Sequence, residues 1–422
     1  VVERRNFLKI GGLALLSTGT MARALASGQL ALEKIEDARL RQWLAAIKPF
    51  GPEDYQKRCQ KAFRLISDQR LGGLFVEPGP SLQYFSGVNW WRSERTFGLL
   101  LFPDREPVWV CSAFELDRAR EIIPASQEIR TWEENESPYE LIGQTVRDYS
   151  RLKKLGLEPS TRAFIVYGLK KDVPWLELAD GSPVSDGCRG LKSDREIACL
   201  EAANRITKLA YREAFGRLRA GMTQEELATF IRDAHARYGV SGSGGPSFGP
   251  ASSFPHGSRK KKNLEEGDVI LVDGGCRVEG YSSDVTRTLV FGRASDRHKR
   301  IWEVVRKAQL AALKVCRPGV TCEEVDRAAR KVIEEAGFGP GYKYFSHRLG
   351  HGIGLEGHEY PYLVQGNKLR IEAGMTFSNE PGIYLPGEFG LRVEDCMVVT
   401  AEGARIMGGM EAVSLEEPFA AD

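Results

Sequence analysis

Residues 267–288 read G-D-V-I-L-V-D-G-G-C-R-V-E-G-Y-S-S-D-V-T-R-T. The run Val269 to Val272 is wholly apolar and short, the pattern of a buried strand. It ends on Asp273, and a carboxylate there costs free energy unless it is paired or bound to a cation. Asp284 follows after the spacing a hairpin needs to return past Asp273. The pattern recurs downstream. Gly374 to Glu380 parallels Gly267 to Asp273, a glycine followed six residues on by a carboxylate, and Glu394 then parallels Asp284.

The helices in front of these strands repeat as well. Gly221-Met222-Thr223-Gln224-Glu225-Glu226-Leu227 matches Gly319-Val320-Thr321-Cys322-Glu323-Glu324-Val325. Each contains T-x-x-E, a capping box in which threonine accepts from an early backbone N–H and glutamate reaches back. Each half therefore reads helix, helix, a strand ending in a carboxylate, then a second carboxylate strand. Two copies predict an α/β (α+β) unit duplicated about a pseudo-twofold axis, with acids from both halves facing one site. Upstream, Gly73–Val76, Phe97–Phe102 and Val108–Cys111 read as strands, punctuated by Pro78-Gly79-Pro80 and Pro103-Asp104, with helix near 138–153. The loop-like Asp180-Gly181-Ser182-Pro183 suggests a boundary near 185, giving a smaller α/β domain over 27–185 and a second domain over 186–422.

Four converging acids, Asp273, Asp284, Glu380 and Glu394, call for a cation, and they exceed what one ion requires, so two ions are expected. Oxygen ligands with one imidazole suit Mn²⁺, Zn²⁺, Co²⁺ or Fe²⁺ better than a thiolate-seeking ion. The chain has 6 histidines, and His347, His351 and His358 cluster. Gly350, Gly352 and Gly354 around His351 permit close backbone approach. His256, in F-P-H-G-S, is a fourth candidate, whereas His235 and His298 sit in charged helical stretches and read as satisfied or surface residues. The 8 cysteines contain no C-x-x-C pair, which argues against a zinc ribbon, and are too sparse for a disulfide scaffold.

Competing motifs are weaker. Gly245-Pro246-Ser247-Phe248-Gly249 fits G-x-S-x-G, but its Gly- and Pro-rich surroundings cannot supply the helix after a nucleophile elbow, so it reads as a pocket-rim loop leading to His256. Arg259 to Lys262 reads as a solvated basic run, and the net charge of +2 gives no reason to expect nucleic acid. Trp90 and Trp91 read as core or turn residues, with contact to substrate or another subunit as the second reading. The N-terminus reads E-R-R-N-F-L-K, then a short apolar stretch from Ile10 to Leu16, then Ala24-Leu25-Ala26 as a cleavage site. It resembles a twin-arginine export signal over 1–26, which predicts a periplasmic or extracellular location. Residues 1–26 carry +3, so the remainder is 2 − 3 = −1. No other segment is apolar enough for a membrane anchor.

On I-L-V-D-G-G (270–275), S-S-D-V-T-R-T (282–288), H-R-L-G-H-G-I-G-L-E-G-H-E (347–359), S-N-E-P-G-I-Y (378–384) and L-R-V-E-D (391–395), the chain resembles the pita-bread metallopeptidases. That superfamily includes aminopeptidase P, prolidase, methionine aminopeptidase and creatinase. The resemblance is strong over about 190–405 and extends weakly to a creatinase-like N-terminal domain. It implies that Asp273 chelates one metal, that His351 and Glu380 bind the other, and that Asp284 and Glu394 bridge both. His256, His347 and His358 correspond to the histidines that serve outer-sphere and substrate roles in proline-directed members, and Arg392 to a position near the metals. The implied reaction is cleavage of an Xaa-Pro bond by a metal-bridging hydroxide, with Glu380 carrying the proton and His358 stabilising the oxyanion. The implied cofactor is a pair of divalent ions, manganese first, and the implied assembly a homo-oligomer, dimer or tetramer. A non-peptidase hydrolase or lyase on the same metals is the alternative, and a non-catalytic peptide binder a weaker one.

Overall fold

The computed structural model describes residues 36–420, so the stretch 1–26, expected to be an export signal, lies outside the described residues. The described residues form two compact units, 50–191 and a second made of 36–49 with 192–420. Position 185 falls inside the helix Ser182–Arg189, so the units divide just after that helix instead of at the loop-like stretch before it. Asp180-Gly181-Ser182-Pro183 is a tight strand-to-helix junction, with Pro183 in the first helical turn.

In the unit Phe50–Leu191, one six-stranded sheet forms from β1 (Gly73–Val76), β2 (Gly98–Leu101), β3 (Val108–Ser112), β4 (Glu128–Trp132), β5 (Lys154–Leu157) and β6 (Glu177–Asp180). Its order is β4-β3-β2-β1-β5-β6, with β1–β2 and β2–β3 antiparallel and the other pairs parallel. The helix expected near 138–153 runs Pro138–Tyr149 and stops before β5. Ser137, the serine of an Asn-Glu-Ser sequon, caps it by accepting from the Glu140 N–H, and donates to Asp172 at 2.7 Å. Trp90 is buried and stacks on Phe97 (4.1 Å, 3°), whereas Trp91 is 42% exposed under the Arg118 guanidinium.

The other unit shows the repeat. Helices Asp194–Phe215 and Gln224–Arg237 precede the first half's strands, and helices Asp296–Val315 and Cys322–Glu335 precede the second's. Both capping boxes form: the Thr223 N–H donates to Glu226 at 2.8 Å and the Thr321 N–H to Glu324 at 2.7 Å. The first-half strands are β7 (Gly245–Phe248), β8 (Val269–Gly274), β9 (Arg277–Val278), β10 (Tyr281–Ser282) and β11 (Val285–Val290). β8 pairs with β11 antiparallel, Asp273 opposite Thr286, and β9–β10 form a small hairpin between them. The second-half strands are β12 (Gly350–Gly352), β13 (Glu359–Leu363), β14 (Thr376–Asn379), β15 (Gly382–Leu385), β16 (Phe389–Arg392), β17 (Asp395–Val399) and β18 (Ala404–Ile406). β14 pairs with β17 antiparallel, Asn379 opposite Asp395, the counterpart of β8–β11.

One expectation fails here. Gly245–Phe248 is not a pocket-rim loop but the strand β7, at the edge of the sheet β11-β8-β7. An edge tolerates Pro246, because only one side of the strand has a ladder to supply. Ser247 is buried in mid-strand, with no elbow beneath it.

Tyr211, Leu227, Ile231, Phe248, Ile270, Val272 and Val285 pack the first helix pair onto β8 and β11. This apolar layer fixes the strand that ends in Asp273. All 8 cysteines are buried. Burial, more than any neighbour, pushes the thiols of Cys59, Cys111, Cys316 and Cys322 up to about 12, so they behave as small apolar side chains. No helix among the described residues is long and apolar enough to cross a membrane.

Candidate metal centre

The five expected metal ligands meet in one place. Asp273 lies near the end of β8, Asp284 just before β11, and His351 in the middle of β12. Glu380 follows β14, and Glu394 sits between β16 and β17. Their donor atoms fall into overlapping groups, each within 4.8 Å: Asp273, Asp284 and Glu394; His351, Glu380 and Glu394; and Asp284, His351 and His358. Glu394 belongs to the first two groups and Asp284 to the first and third, the arrangement two adjacent cation positions need from bridging carboxylates.

Local structure explains the convergence. A Cβ on Gly350 would sit 2.0 Å from the Ser378 carbonyl, so only glycine lets β12 lie this close to the strand leading to Glu380. Ser378 Oγ ties the two together, accepting from the His351 N–H at 3.0 Å and donating to Glu380 at 3.0 Å. The His351 Nδ1 lies 3.1 Å from the Gly352 carbonyl, which assigns the proton to Nδ1. Nε2 faces the acids, 3.2 Å from Glu380 and 3.7 Å from Asp284, and is the ring atom placed to coordinate once it gives up its proton. His358, exposed, stacks on His351 (3.7 Å, 17°). Its neighbour Glu359 is held by a buried ion pair with Lys192 at 2.7 Å.

The electrostatics of these acids favour a cation among them. Burial first, and then the charges of neighbouring carboxylates, push Asp284 and Glu394 well above the usual carboxylate range. Burial would also raise Glu380, but a hydrogen bond with His351 and the charges of His347, His351 and Arg392 bring it down to about 2. Crowded acids facing one imidazole fit hard or borderline divalent cations, which would relieve the repulsion directly.

Arg392, 2% exposed, organises the floor of the site. It donates to Asp273 at 2.6 Å, to Thr286 Oγ1 at 3.0 Å, to the Pro255 carbonyl at 3.0 Å and to the Tyr384 hydroxyl at 2.7 Å. Having accepted from Arg392, Tyr384 can give its own proton to His347 Nε2, 2.9 Å away, while His347 Nδ1 donates to the Arg348 carbonyl at 2.8 Å. Burial holds His347 below the usual histidine range, in keeping with this neutral form. Thr286 donates to Glu394 at 2.6 Å.

The expected histidines do not all behave alike. His347 and His358 join the cluster, but the His256 ring is exposed and makes no hydrogen bond among the described residues, its link to the centre being the carbonyl of Pro255. His235 is a satisfied core residue, its Nδ1 2.9 Å from the Ile231 carbonyl, and His298 sits in the first turn of its helix, where its N–H donates to Ser295. Sequence reasoning assigned no role to Thr286 or Tyr384. A signal existed for Thr286, because alternate residues of a strand share a face and Asp284 lies two positions before it.

Comparison with known proteins gives the setting. The family described as metallopeptidase family M24 matches residues 198–401, and the creatinase/prolidase N-terminal domain matches residues 58–190. An Xaa-Pro dipeptidase of Lactobacillus helveticus is 36% identical over 345 residues, covering 80% of this chain and 93% of that protein. An uncharacterised peptidase of Schizosaccharomyces pombe is 33% identical over 389 residues, covering 87% and 84%. Among solved structures, a dipeptidase from Mycobacterium ulcerans superposes with a TM-score of 0.80 at 33% identity, covering 85% of this chain and 96% of that one. A prolidase from Thermococcus sibiricus gives 0.76 at 29% identity, covering 88% and 98%.

Proposed function

Since the chain belongs to metallopeptidase family M24, we propose that it hydrolyses Xaa-Pro peptide bonds at this centre, with dipeptides as the first substrates to test. The observation that carries the reading is the cluster of Asp273, Asp284, His351, Glu380 and Glu394, backed by the ordered chain Arg392–Tyr384–His347. Similarity to an Xaa-Pro dipeptidase and to a prolidase supports the proline preference.

Asp273, Asp284, His351, Glu380 and Glu394 would hold a pair of divalent cations, which would supply Lewis acidity and lower the pKa of water. The protein does the rest. Glu380 accepts the proton of the attacking water and passes it toward the leaving nitrogen. That transfer matters for an Xaa-Pro bond, whose tertiary-amide nitrogen carries no hydrogen of its own. His358, exposed beside His351, is placed to donate to the developing oxyanion. Arg392 holds Asp273, and Thr286 holds Glu394, each fixed before substrate arrives. Manganese is the first choice of metal, given four carboxylates and a single imidazole, with Zn²⁺, Co²⁺ and Fe²⁺ next. We assign a homo-oligomer, dimer or tetramer, a reading supported by exposed Trp91 (42%) and Phe114 (77%) and read directly by light scattering.

The deciding experiment reconstitutes the protein from Ser27 onward with Mn²⁺, Co²⁺ or Zn²⁺. It is offered an Xaa-Pro dipeptide, an Xaa-Pro-Xaa oligopeptide and a non-proline control. We expect proline-selective cleavage that a chelator abolishes. Failure to cleave either proline substrate with any of the metals would sink the reading.

Residues 1–26 support export by the twin-arginine route to the periplasm or beyond, on the strength of Arg4-Arg5, the apolar stretch and Ala24-Leu25-Ala26. Lysine at both Arg4 and Arg5 should leave the protein inside the cell. Unchanged export of that double variant, followed by fractionation and immunoblot, would remove the assignment.

A further inference from the structure

Tyr211 lies near the end of the helix Asp194–Phe215 and is wholly buried, packed among Met222, Ile231, Phe248 and Val272. Phenylalanine would satisfy every apolar contact this ring makes. The hydroxyl is what needs explaining, because it has no hydrogen-bond partner among the described residues. A buried donor left unmade bears the full cost of its desolvation, and such groups in a native fold call for a specific reason.

The position of the hydroxyl supplies one. It lies beside Gly244, where a Cβ would approach it to 3.1 Å and the Val272 Cγ1 to 2.9 Å. Gly244 immediately precedes Gly245, the residue paired with Asp273 across β7 and β8. The missing side chain at 244 therefore keeps room for the hydroxyl beside the strand end that carries a proposed metal ligand. Burial, and then the carboxylates of Asp273, Asp284 and Glu394, hold the phenol well above its ordinary range, so it stays a donor. His235, edge-on to the ring at 6.3 Å, is not the missing partner. Its Nδ1 is engaged by the Ile231 carbonyl at 2.9 Å and its Nε2 lies 3.4 Å from Thr207 Oγ1.

We propose that Tyr211 is a positioning residue of the metal centre, whose hydroxyl donates a hydrogen bond to an oxygen in the coordination sphere on the Asp273–Asp284–Glu394 side. This rests on the reading of that cluster as a divalent-cation site and adds a residue from a helix that contributes no ligand. A donor there would orient the coordinating oxygen and offset its charge, as outer partners of metal ligands do. It would also make the two cation positions unequal, because the counterpart group of His351, Glu380 and Glu394 has Ser378 as its donor instead.

The test is Tyr211→Phe in the full protein, loaded with Co²⁺ as a spectroscopic probe. The substitution removes one oxygen and keeps the packing, so the metal-stripped variant should melt no lower than the parent. We expect the Co²⁺ visible absorption to change in position or intensity, and titration calorimetry to show one of two sites weakened by about tenfold, within the range for outer-shell partners. An unchanged Co²⁺ spectrum together with affinities within twofold of the parent would overturn the role of Tyr211 and leave the metal site standing. A parent protein that takes up no divalent cation would overturn both.

Discussion

Asp284→Ala should lower kcat/KM for an Xaa-Pro substrate by at least about a thousandfold, beyond the 10–100-fold common for outer-shell partners of a metal. Asp284 reaches both proposed cation positions, grouped with Asp273 and Glu394 on one side and with His351 and His358 on the other. Its removal takes a donor from each, so calorimetry should also show fewer ions bound. Stability should move the opposite way. Burial and the neighbouring charges of Asp273 and Glu380 disfavour the ionised form of Asp284, so a charge there strains the metal-free fold. The metal-stripped alanine variant is therefore expected to melt at or above the parent. Loss of activity with a gain in metal-free stability marks a carboxylate kept for chemistry. Retained activity, or a destabilised metal-free protein that still binds two ions, would contradict the bridging role.

The two carboxylate strand pairs were legible in the sequence because their signals are local. Val269 to Val272 is an unbroken apolar run with Asp273 at its end, and the structure makes it β8, turning back through Asp284 into β11. The capping boxes at Thr223 and Thr321 need only four consecutive residues each, and both form. What was not legible is what crosses the chain. Arg392 and Asp273 lie 119 residues apart, and no pattern around either reveals that they touch. Tyr384 stood in a motif already singled out, yet its position between Arg392 and His347 depends on how β15 pairs with β16. Gly245–Phe248 carries the composition of a loop, and only its neighbour β8 makes it a strand. Such positions are set by tertiary context overriding local preference.

The buried charges behind the site are the clearest case, and they carry the largest expected loss of stability. The sequence assigned no role to Lys208, Arg287 or Asp395, yet the side chains of all three are 0% exposed. Asp395 accepts from Lys208 at 2.7 Å and from Arg287 at 2.8 Å, and its second oxygen accepts from Gln309 at 3.2 Å. Arg287 spends its remaining donors on the carbonyls of Thr286, Glu394, Met410 and Pro418. Asp395→Asn keeps the shape but leaves two buried cations facing a neutral amide. Breaking a buried ion pair from one side costs about 3–5 kcal/mol. At roughly 2–4 °C per kcal/mol for a large domain, the melting temperature should fall on the order of 10 °C. Burial alone would raise the Asp395 carboxyl, but Arg287 and Lys208 outweigh it and hold it below the usual range. Its contribution is therefore present at neutral pH and drains away as the pH falls through the carboxylate range. The double variant Lys208→Met with Asp395→Leu removes one cation along with the anion and should recover part of the loss, since apolar replacements of a buried pair are often tolerated. A loss below about 1 kcal/mol for Asp395→Asn in calorimetry, well under the buried-pair range, would show that the carbonyls satisfy both cations without it. Because the Arg287 donor to the Glu394 carbonyl (2.8 Å) belongs to the same network, weakened metal binding should accompany the lost stability in Asp395→Asn. That joint loss is the reverse of the pattern expected for Asp284, and it separates a carboxylate that holds the site in place from one that works within it.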